Sequence, residues 1–444
     1  MALDPKDLAE LTPMFISTVY KHFRNEIPDS NWDLRLHLAV AMLRSVLQRS
    51  KNKTIEKHQK FLAKAHLPSS HSTLVKKAIV PETCRSQAED IMAGLLSGQE
   101  EKVGWRWKDD PMKQTPLRGE WVESKTRKKS TDVDRVILYV HGGAYILGSA
   151  AQHRFLIQKI AKEGAARAFG FDYRLAPQSP FPAALIDTLA AYLYLIQPPS
   201  DAGFEPINPK NIIIMGDSAG GGLALSTMLV LRDAGLPQPV GAASTDYLPS
   251  GLIYKASPAN PIKDNTDIKQ RLSRIQYYAY NSALDIPYVS PILADDLGGL
   301  GEIFITCGNN ERLRDESILF ANKAAKTNPE LFNTPRKEGQ RSYPPTKVNL
   351  NIFEAMPHVF QLFLFHPTAI NAIKRTGKWI RKVIPEPDNG DNKSESSSDT
   401  LHNLYIYHDA KPIVREELSL SDISDESEDD ELAIFTSKGF MPIN

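Results

Sequence analysis

The sequence has 444 residues and 41% hydrophobic content, enough to bury one large α/β domain with additions or two to three ordinary domains. Its 53 Lys and Arg balance 53 Asp and Glu, so no global field exists to recruit nucleic acid or an anionic membrane. The two cysteines, Cys84 and Cys307, are too few and too far apart for a disulfide framework, a zinc site or an iron–sulfur cluster, and they fit a reducing compartment.

The opening stretch MALDPKDLAELTP lacks the basic start and apolar run of a signal peptide, and no apolar run reaches the length of a membrane span. The expectation is a soluble, cytoplasmic chain, not secreted, with peripheral contact to a membrane left open; the sequons at Asn52 and Asn392 then read as chance occurrences. Leu8, Leu11, Phe15, Val19 and Phe23 recur at helical spacing and predict one apolar stripe. A second helix follows, with Ser30 and Asp33 as a capping box and Trp32, Leu36, Val40, Leu43 and Leu47 along one face. The lysines between Lys51 and Lys64 read as a solvated helix face.

From about Gly119 the texture changes to short β-rich runs separated by helical ones: GEWVES, RVILYV, ARAFGFDY, NIIIMG, GEIFITCG and VNLNIFEA. That alternation predicts an α/β fold with a mostly parallel central sheet flanked by helices. After Pro385 the chain becomes polar and Ser-rich, then acidic, so 385–444 is expected to be a mostly disordered tail. Within it, LHNLYIYHDAKPIVREEL alternates enough for a short strand that folds back onto the body. Ser427, followed by Asp430, could be modified or docked, but an inert solubilising tail is the plainer reading.

The chemistry concentrates in IIIMGDSAGGGLALSTMLVL, Ile212 to Leu231. A strand runs into Gly216-Asp217-Ser218-Ala219-Gly220 and then into a helix, which matches the G-x-S-x-G turn that exposes a nucleophilic serine. A Cβ at Gly216 or Gly220 would strike the neighbouring strand or helix, and the helix N-terminus favours developing negative charge. A phosphate loop is excluded because no Lys-[Ser/Thr] pair closes it. Upstream, RVILYV opens onto His141-Gly142-Gly143-Ala144, so Gly142 and Gly143, with the amide of Ala219, are the expected oxyanion donors. The base expected is His358, on a short loop after VNLNIFEA, rather than His366, which should cap the apolar run between them. The orienting acid is expected to be Glu311, close to the end of GEIFITCG, with Asp315 as the alternative because it could equally start the next helix.

With HGGA, GDSAGG, FDYRLAPQSPFPAALID (Phe171 to Asp187) and NNERLRDES in place, residues 110–384 resemble the hormone-sensitive-lipase-like family of α/β hydrolases. The resemblance is in particular to its fungal esterase and steryl acetyl hydrolase branch. The resemblance implies an α/β-hydrolase domain over 111–384 with an insert near 247–283. It also implies a helical N-terminal segment, 1–110, of which Leu8 to about His66 joins that insert as a cap, with Phe15, Trp32 and Tyr277 to Tyr280 as candidate pocket residues. The implied activity is serine carboxylesterase action on short-chain acyl or acetylated lipid and sterol esters, with neither cofactor nor metal. The implied partner is a small-molecule ester, lipids included. Three departures from the family pattern stand out: Glu311 where Asp is usual, Ala144 where a third glycine is usual, and a short, polar stretch from Pro237 to Pro261 where a sheet strand is expected to be missing. The first and third motivate an alternative, a catalytically impaired α/β-hydrolase-fold protein that only binds its ligand.

Overall fold

The computed structural model describes residues 5–48, 53–64, 70–127, 133–245, 277–327, 341–386, 402–408 and 411–418. Helices α1 (Pro5–Phe23), α2 (Leu34–Gln48) and α3 (Ile55–Lys64) come first. Strand β1 (Thr73–Val80), helices α4 (Glu82–Leu95) and α5 (Glu100–Val103), and strand β2 (Leu117–Ser124) follow. The central units are β3 (Val136–Val140), α6 (Ala150–Glu163), β4 (Arg167–Phe171), α7 (Ala183–Ile196), β5 (Ile212–Asp217), α8 (Ala219–Asp233) and β6 (Gly241–Thr245). The chain continues through β7 (Glu302–Gly308), α9 (Arg314–Ala325), β8 (Val348–Phe353), α10 (Pro367–Val383), β9 (His402–His408) and β10 (Lys411–Leu418).

The strands form one ten-stranded sheet in the order β1-β2-β4-β3-β5-β6-β7-β8-β9-β10. Pairing is parallel from β4 through β9, while β1–β2, β2–β4 and β9–β10 are antiparallel. The central strands are apolar on both faces because both are covered. Val136, Leu138, Ile212 and Ile214 join the core beneath α4, α7 and α8, whereas Ile137, Tyr139, Ile213 and Met215 join a second core against α6 and α10. Every residue of α7 from Ala183 to Leu195 is buried, which explains why AALIDTLAAYLYL is apolar all round.

Each of the six runs read as strands forms one. Three strands go beyond the expectation: β1, β6 and the second of the tail pair β9 and β10, where one short strand was expected. β1 lies inside 1–110, so that segment is not purely helical; its TLVKKAIV alternates between buried ends and exposed lysines, as befits an edge strand. The strand expected to be missing is present: β6 pairs in parallel with β5 and β7 and closes the gap between them. Its sequence, GAAST, is small because the space is: a Cβ at Gly241 would lie 2.3 Å from the carbonyl oxygen of Glu302 and 3.1 Å from the Trp379 indole.

The N-terminal helices also depart from expectation. Asp33 alone caps α2, its Oδ1 accepting the Leu36 N–H at 2.7 Å, without Ser30. Leu11 is buried, but Phe15 and Phe23 stay 53% and 76% exposed, so the predicted stripe of α1 is only partly used. Trp32, Leu36 and Val40 pack on Phe353, Ala355, Met356 and Phe360, where Trp32 serves as core rather than as a pocket wall. Most of the insert at 247–283 lies outside the described residues. Of its remainder, Tyr278 is buried and stacked on Tyr145 with ring centroids 3.7 Å apart. Within 385–444, expected to be mostly disordered, the weak alternation at 402–418 forms the β9–β10 hairpin on the β8 edge. Ser427 and Asp430 lie outside the described residues.

Candidate active site

Four parallel strands, β3 and β5 on one side of β6 and β7 and β8 on the other, deliver their C-terminal ends to one edge of the sheet, where crevices for ligands form. β5 delivers Ser218. Its backbone sits at φ 54°, ψ −124°, a strained conformation enforced by the strand-to-helix reversal, and it is followed directly by α8. The flanking glycines are required: a Cβ on Gly216 would lie 2.3 Å from Gly220, and one on Gly220 would lie 2.0 Å from the Val140 carbonyl oxygen. The first N–H groups of α8 and its positive dipole end are thereby aimed at the serine.

β8 delivers His358, after Met356 and Pro357, and β7 delivers Glu311. His358 Nε2 lies 2.9 Å from Ser218 Oγ, and His358 Nδ1 lies 2.7 Å from Glu311 Oε2. A carboxylate can only accept, so Nδ1 carries the proton and Nε2 is left to accept from the serine hydroxyl. Glu311 is almost fully buried, and its Oε1 accepts the Gly308 N–H. The longer side chain is folded back onto the turn at the end of β7, which accommodates glutamate at this position. Asp315 is elsewhere: it sits in the first turn of α9, 43% exposed, and pairs with Arg314 at 2.8 Å. His366 caps α10, its Nδ1 accepting the Thr368 N–H at 3.3 Å.

The β3 loop brings the expected oxyanion glycines beside the serine turn but gives them different work. Gly142 N–H donates to Asp217 Oδ1 at 3.1 Å, so it is committed within the protein and is not available to a substrate oxygen. There is no room for anything but glycine, since a Cβ would lie 2.2 Å from Asp217 Oδ2. Among the described residues, no backbone acceptor takes the N–H of Gly143 or of Ala144. Ala144 and Tyr145 turn the loop with φ of 54° and 63°. Helix α3 braces the loop from outside, with Gln59 Nε2 donating to the carbonyls of Ile146 at 2.9 Å and Ala176 at 3.3 Å.

Behind the serine lies a buried polar cluster that the sequence reading missed. Asp217 Oδ1 also accepts from Tyr139 OH at 2.7 Å, and its Oδ2 faces His153 Nε2 on α6 at 3.3 Å. His141 stacks on Tyr173 at 4.1 Å between centroids, and its Nδ1 meets the Gly142 carbonyl at 2.8 Å. Burial alone would raise the Asp217 carboxyl, but the His153 charge and hydrogen bond outweigh it and hold the group down to about 2. Burial disfavours charge on His153 too, yet Asp217 carries it above the ordinary imidazole value. Burial, then the neighbouring His153, lowers His141 to about 3, so His141 is neutral. His141 and Asp217 stand inside the HGGA and GDSAGG motifs, but nothing local in the sequence ties them to His153, 64 residues before Asp217.

Among the described residues no helix is long and apolar enough to cross a membrane, and no group of three or more His, Cys, Asp or Glu is placed to hold a metal ion. Residues 137–333 match a family described as the alpha/beta hydrolase fold. An acetyl-hydrolase of Streptomyces hygroscopicus is 33% identical over 212 residues, covering 45% of this chain and 67% of the relative. An esterase of Acinetobacter venetianus is 30% identical over 254 residues, covering 56% of this chain and 75% of the relative. Among solved structures, an esterase from the bacterial hormone-sensitive lipase family superposes with a TM-score of 0.51 at 24% identity, over 77% of this chain and 96% of that one.

Proposed function

Because the chain belongs to the alpha/beta hydrolase fold family and is a carboxylic ester hydrolase, we propose that it cleaves short-chain acyl esters, acetylated lipids and sterols among them, through an acyl-enzyme on Ser218. The observation that supports this most is the unbroken chain from Ser218 Oγ through both His358 nitrogens to Glu311, at 2.9 Å and 2.7 Å. Ser218 Oγ attacks the ester carbonyl while His358 Nε2 takes its proton, and Glu311 stabilises the imidazolium that results. The carbonyl oxygen becomes an oxyanion facing the N–H groups of Gly143, Ala144 and Ala219. Collapse breaks the bond to the alkoxy oxygen, which leaves with the proton from His358. A water then attacks the acyl-serine, giving its proton to His358, and the acid departs as Ser218 recovers its hydrogen.

A cavity of about 190 Å³ beside the elbow supports a short acyl group. Apolar residues on its wall include Leu225 of α8, Ile292, Ile305 of β7 and Phe320 of α9, and Ser290, Glu316 and Ser317 add polar groups. By volume alone it has room for an acyl chain of roughly four to six carbons, given that about 150 Å³ holds a benzene. The test is initial-rate hydrolysis of p-nitrophenyl esters from acetate upward by the purified chain, beside Ser218→Ala and with mass-spectrometric labelling by a fluorophosphonate. Label on Ser218 and turnover lost in Ser218→Ala are expected. Undiminished turnover in that variant would end the acyl-enzyme reading.

A further inference from the structure

The cluster behind Ser218 is not used by the steps above, although Tyr139, His141, Tyr173 and Asp217 are buried and Asp217 adjoins the nucleophile in the chain. We propose that His153 is a positioning residue for ester hydrolysis: as an imidazolium paired with Asp217, it fixes the oxyanion loop through the Asp217–Gly142 bond. The inference rests on the Ser218 reading and adds a residue on another helix to it.

One hydrogen bond and one ion-pair contact together favour the charge. His153 Nδ1 lies 3.0 Å from the Ser149 carbonyl oxygen, which can only accept, so Nδ1 carries a proton. His153 Nε2 lies 3.3 Å from a carboxylate oxygen, which again can only accept. Neither neutral tautomer satisfies both contacts; the doubly protonated ring does. The negative charge opposite it is itself anchored, because Asp217 Oδ1 holds the Tyr139 hydroxyl and the Gly142 N–H. Pulling on Asp217 therefore moves the loop that presents Gly143 and Ala144, and does so from the residue bonded directly to Ser218.

The other groups around His153 leave it as the member that titrates. β3 and its exit contribute Tyr139 and neutral His141, with centroids 6.4 Å and 5.7 Å away. The segment after β4 contributes Asp172, whose Oδ1 accepts the Ala150 N–H at 2.8 Å. β2 contributes Glu120, already held by Arg154 and Lys77. α3 meets α6 through the Leu62 carbonyl and Gln152, and α10 meets it at Ile160 to Gly164, about two turns away. When His153 loses its Nε2 proton, a lone pair faces the Asp217 carboxylate, the two repel, and the Gly142 bond loosens. Activity is then fully present below the His153 titration and falls as pH rises through it, opposite to the acid-side loss when His358 becomes protonated.

The experiment is kcat and KM against pH for p-nitrophenyl acetate, with the Ser218→Ala rate subtracted at each pH, for wild type, His153→Phe and His153→Gln. His153→Phe keeps the ring but has no donor, and is expected to lower kcat about 10- to 100-fold with KM within about threefold, part of the effect of one oxyanion donor. His153→Gln donates to Asp217 without titrating, and is expected to recover most of the neutral-pH kcat while losing the alkaline limb of the profile. Three results would overturn the proposal: a wild-type kcat flat through pH 10, an alkaline limb unchanged in His153→Gln, or a folded His153→Phe that alters only KM. If Ser218→Ala itself retains turnover, the acyl-enzyme reading fails instead, and the two failures are distinguishable.

Discussion

Glu311→Gln removes one charge from the site and keeps the side chain's size, and its effect follows from which oxygen is already committed. Glu311 Oε1 accepts the Gly308 N–H, so the glutamine must place its oxygen there and its NH2 group toward His358. An amide N–H needs an acceptor, so His358 Nδ1 gives up its proton and Nε2 takes one. The imidazole then presents N–H rather than a lone pair to Ser218 Oγ, 2.9 Å away, and cannot act as base. In a triad of this kind, changing the orienting carboxylate to an amide costs about 10⁴ in kcat. At about 1.4 kcal/mol per factor of ten this is roughly 5 kcal/mol of barrier, with KM little changed because the group does not touch substrate. Asp315→Asn, an exposed change beside Arg314, is expected to stay within about twofold of wild type. Steady-state kinetics on p-nitrophenyl acetate for both variants, with thermal unfolding to check folding, makes the comparison. Equal losses in the two, or a Glu311→Gln enzyme above a tenth of wild-type kcat, would refute the reasoning.

Ala144 occupies φ 54°, where an L-residue costs about 1–2 kcal/mol and glycine does not; after the roughly 0.5–1 kcal/mol that glycine loses in chain entropy, Ala144→Gly should stabilise by about 0.5–1 kcal/mol, read as a higher denaturant midpoint. A lower midpoint would mean that the methyl group is a packing contact the loop needs. Leu225→Trp should fill the cavity beside the elbow and raise KM for hexanoate esters about tenfold while acetate stays within about twofold; parallel rises for both would remove the acyl chain from that cavity. Trp32→Ala should destabilise by about 3–5 kcal/mol, since the indole is 3% exposed and donates to the Ala355 carbonyl, and a chemical unfolding curve within 1 kcal/mol of wild type would contradict this.

How far the sequence could be read follows from the range over which each feature acts. β3 and β5 declare themselves locally, because VILYV and IIIM must be apolar on both faces to lie between two helical layers. The serine turn, His358 and Glu311 each end or closely follow such a strand, so their meeting at one edge follows from parallel topology. β6 does not declare itself: its GAAST is short and weakly apolar, and Gly241 has no room for a Cβ because Glu302 of β7 and Trp379 stand against it, a constraint set by residues 60 to 140 positions away. β1 is an amphipathic edge whose lysines disguise it. The tie between Gly142 and Asp217 is hidden for a similar reason, since nothing in HGGA reveals that Asp217 holds that N–H.

The two halves of the site are stiffened by different physics, and each draws on a helix that precedes the stretch 137–333 carrying the family match. On the base side the support is apolar: Trp32, Leu36 and Val40 of α2 press on Phe353, Ala355 and Met356, the segment that turns β8 toward His358. That clamp weakens only when the N-terminal helices leave. On the oxyanion side the support is polar and dry: the charged pair His153–Asp217 from within, and Gln59 of α3 with Ile55 against Ile146 and Ala176 from without. Such a support responds to pH as an apolar clamp does not. Removing residues 1–50 should therefore slacken His358 and lower kcat at every pH, whereas disturbing His153 should reshape the profile on its alkaline side alone. A truncation that merely shifted the alkaline limb, leaving the neutral rate intact, would show that the two supports are not separate.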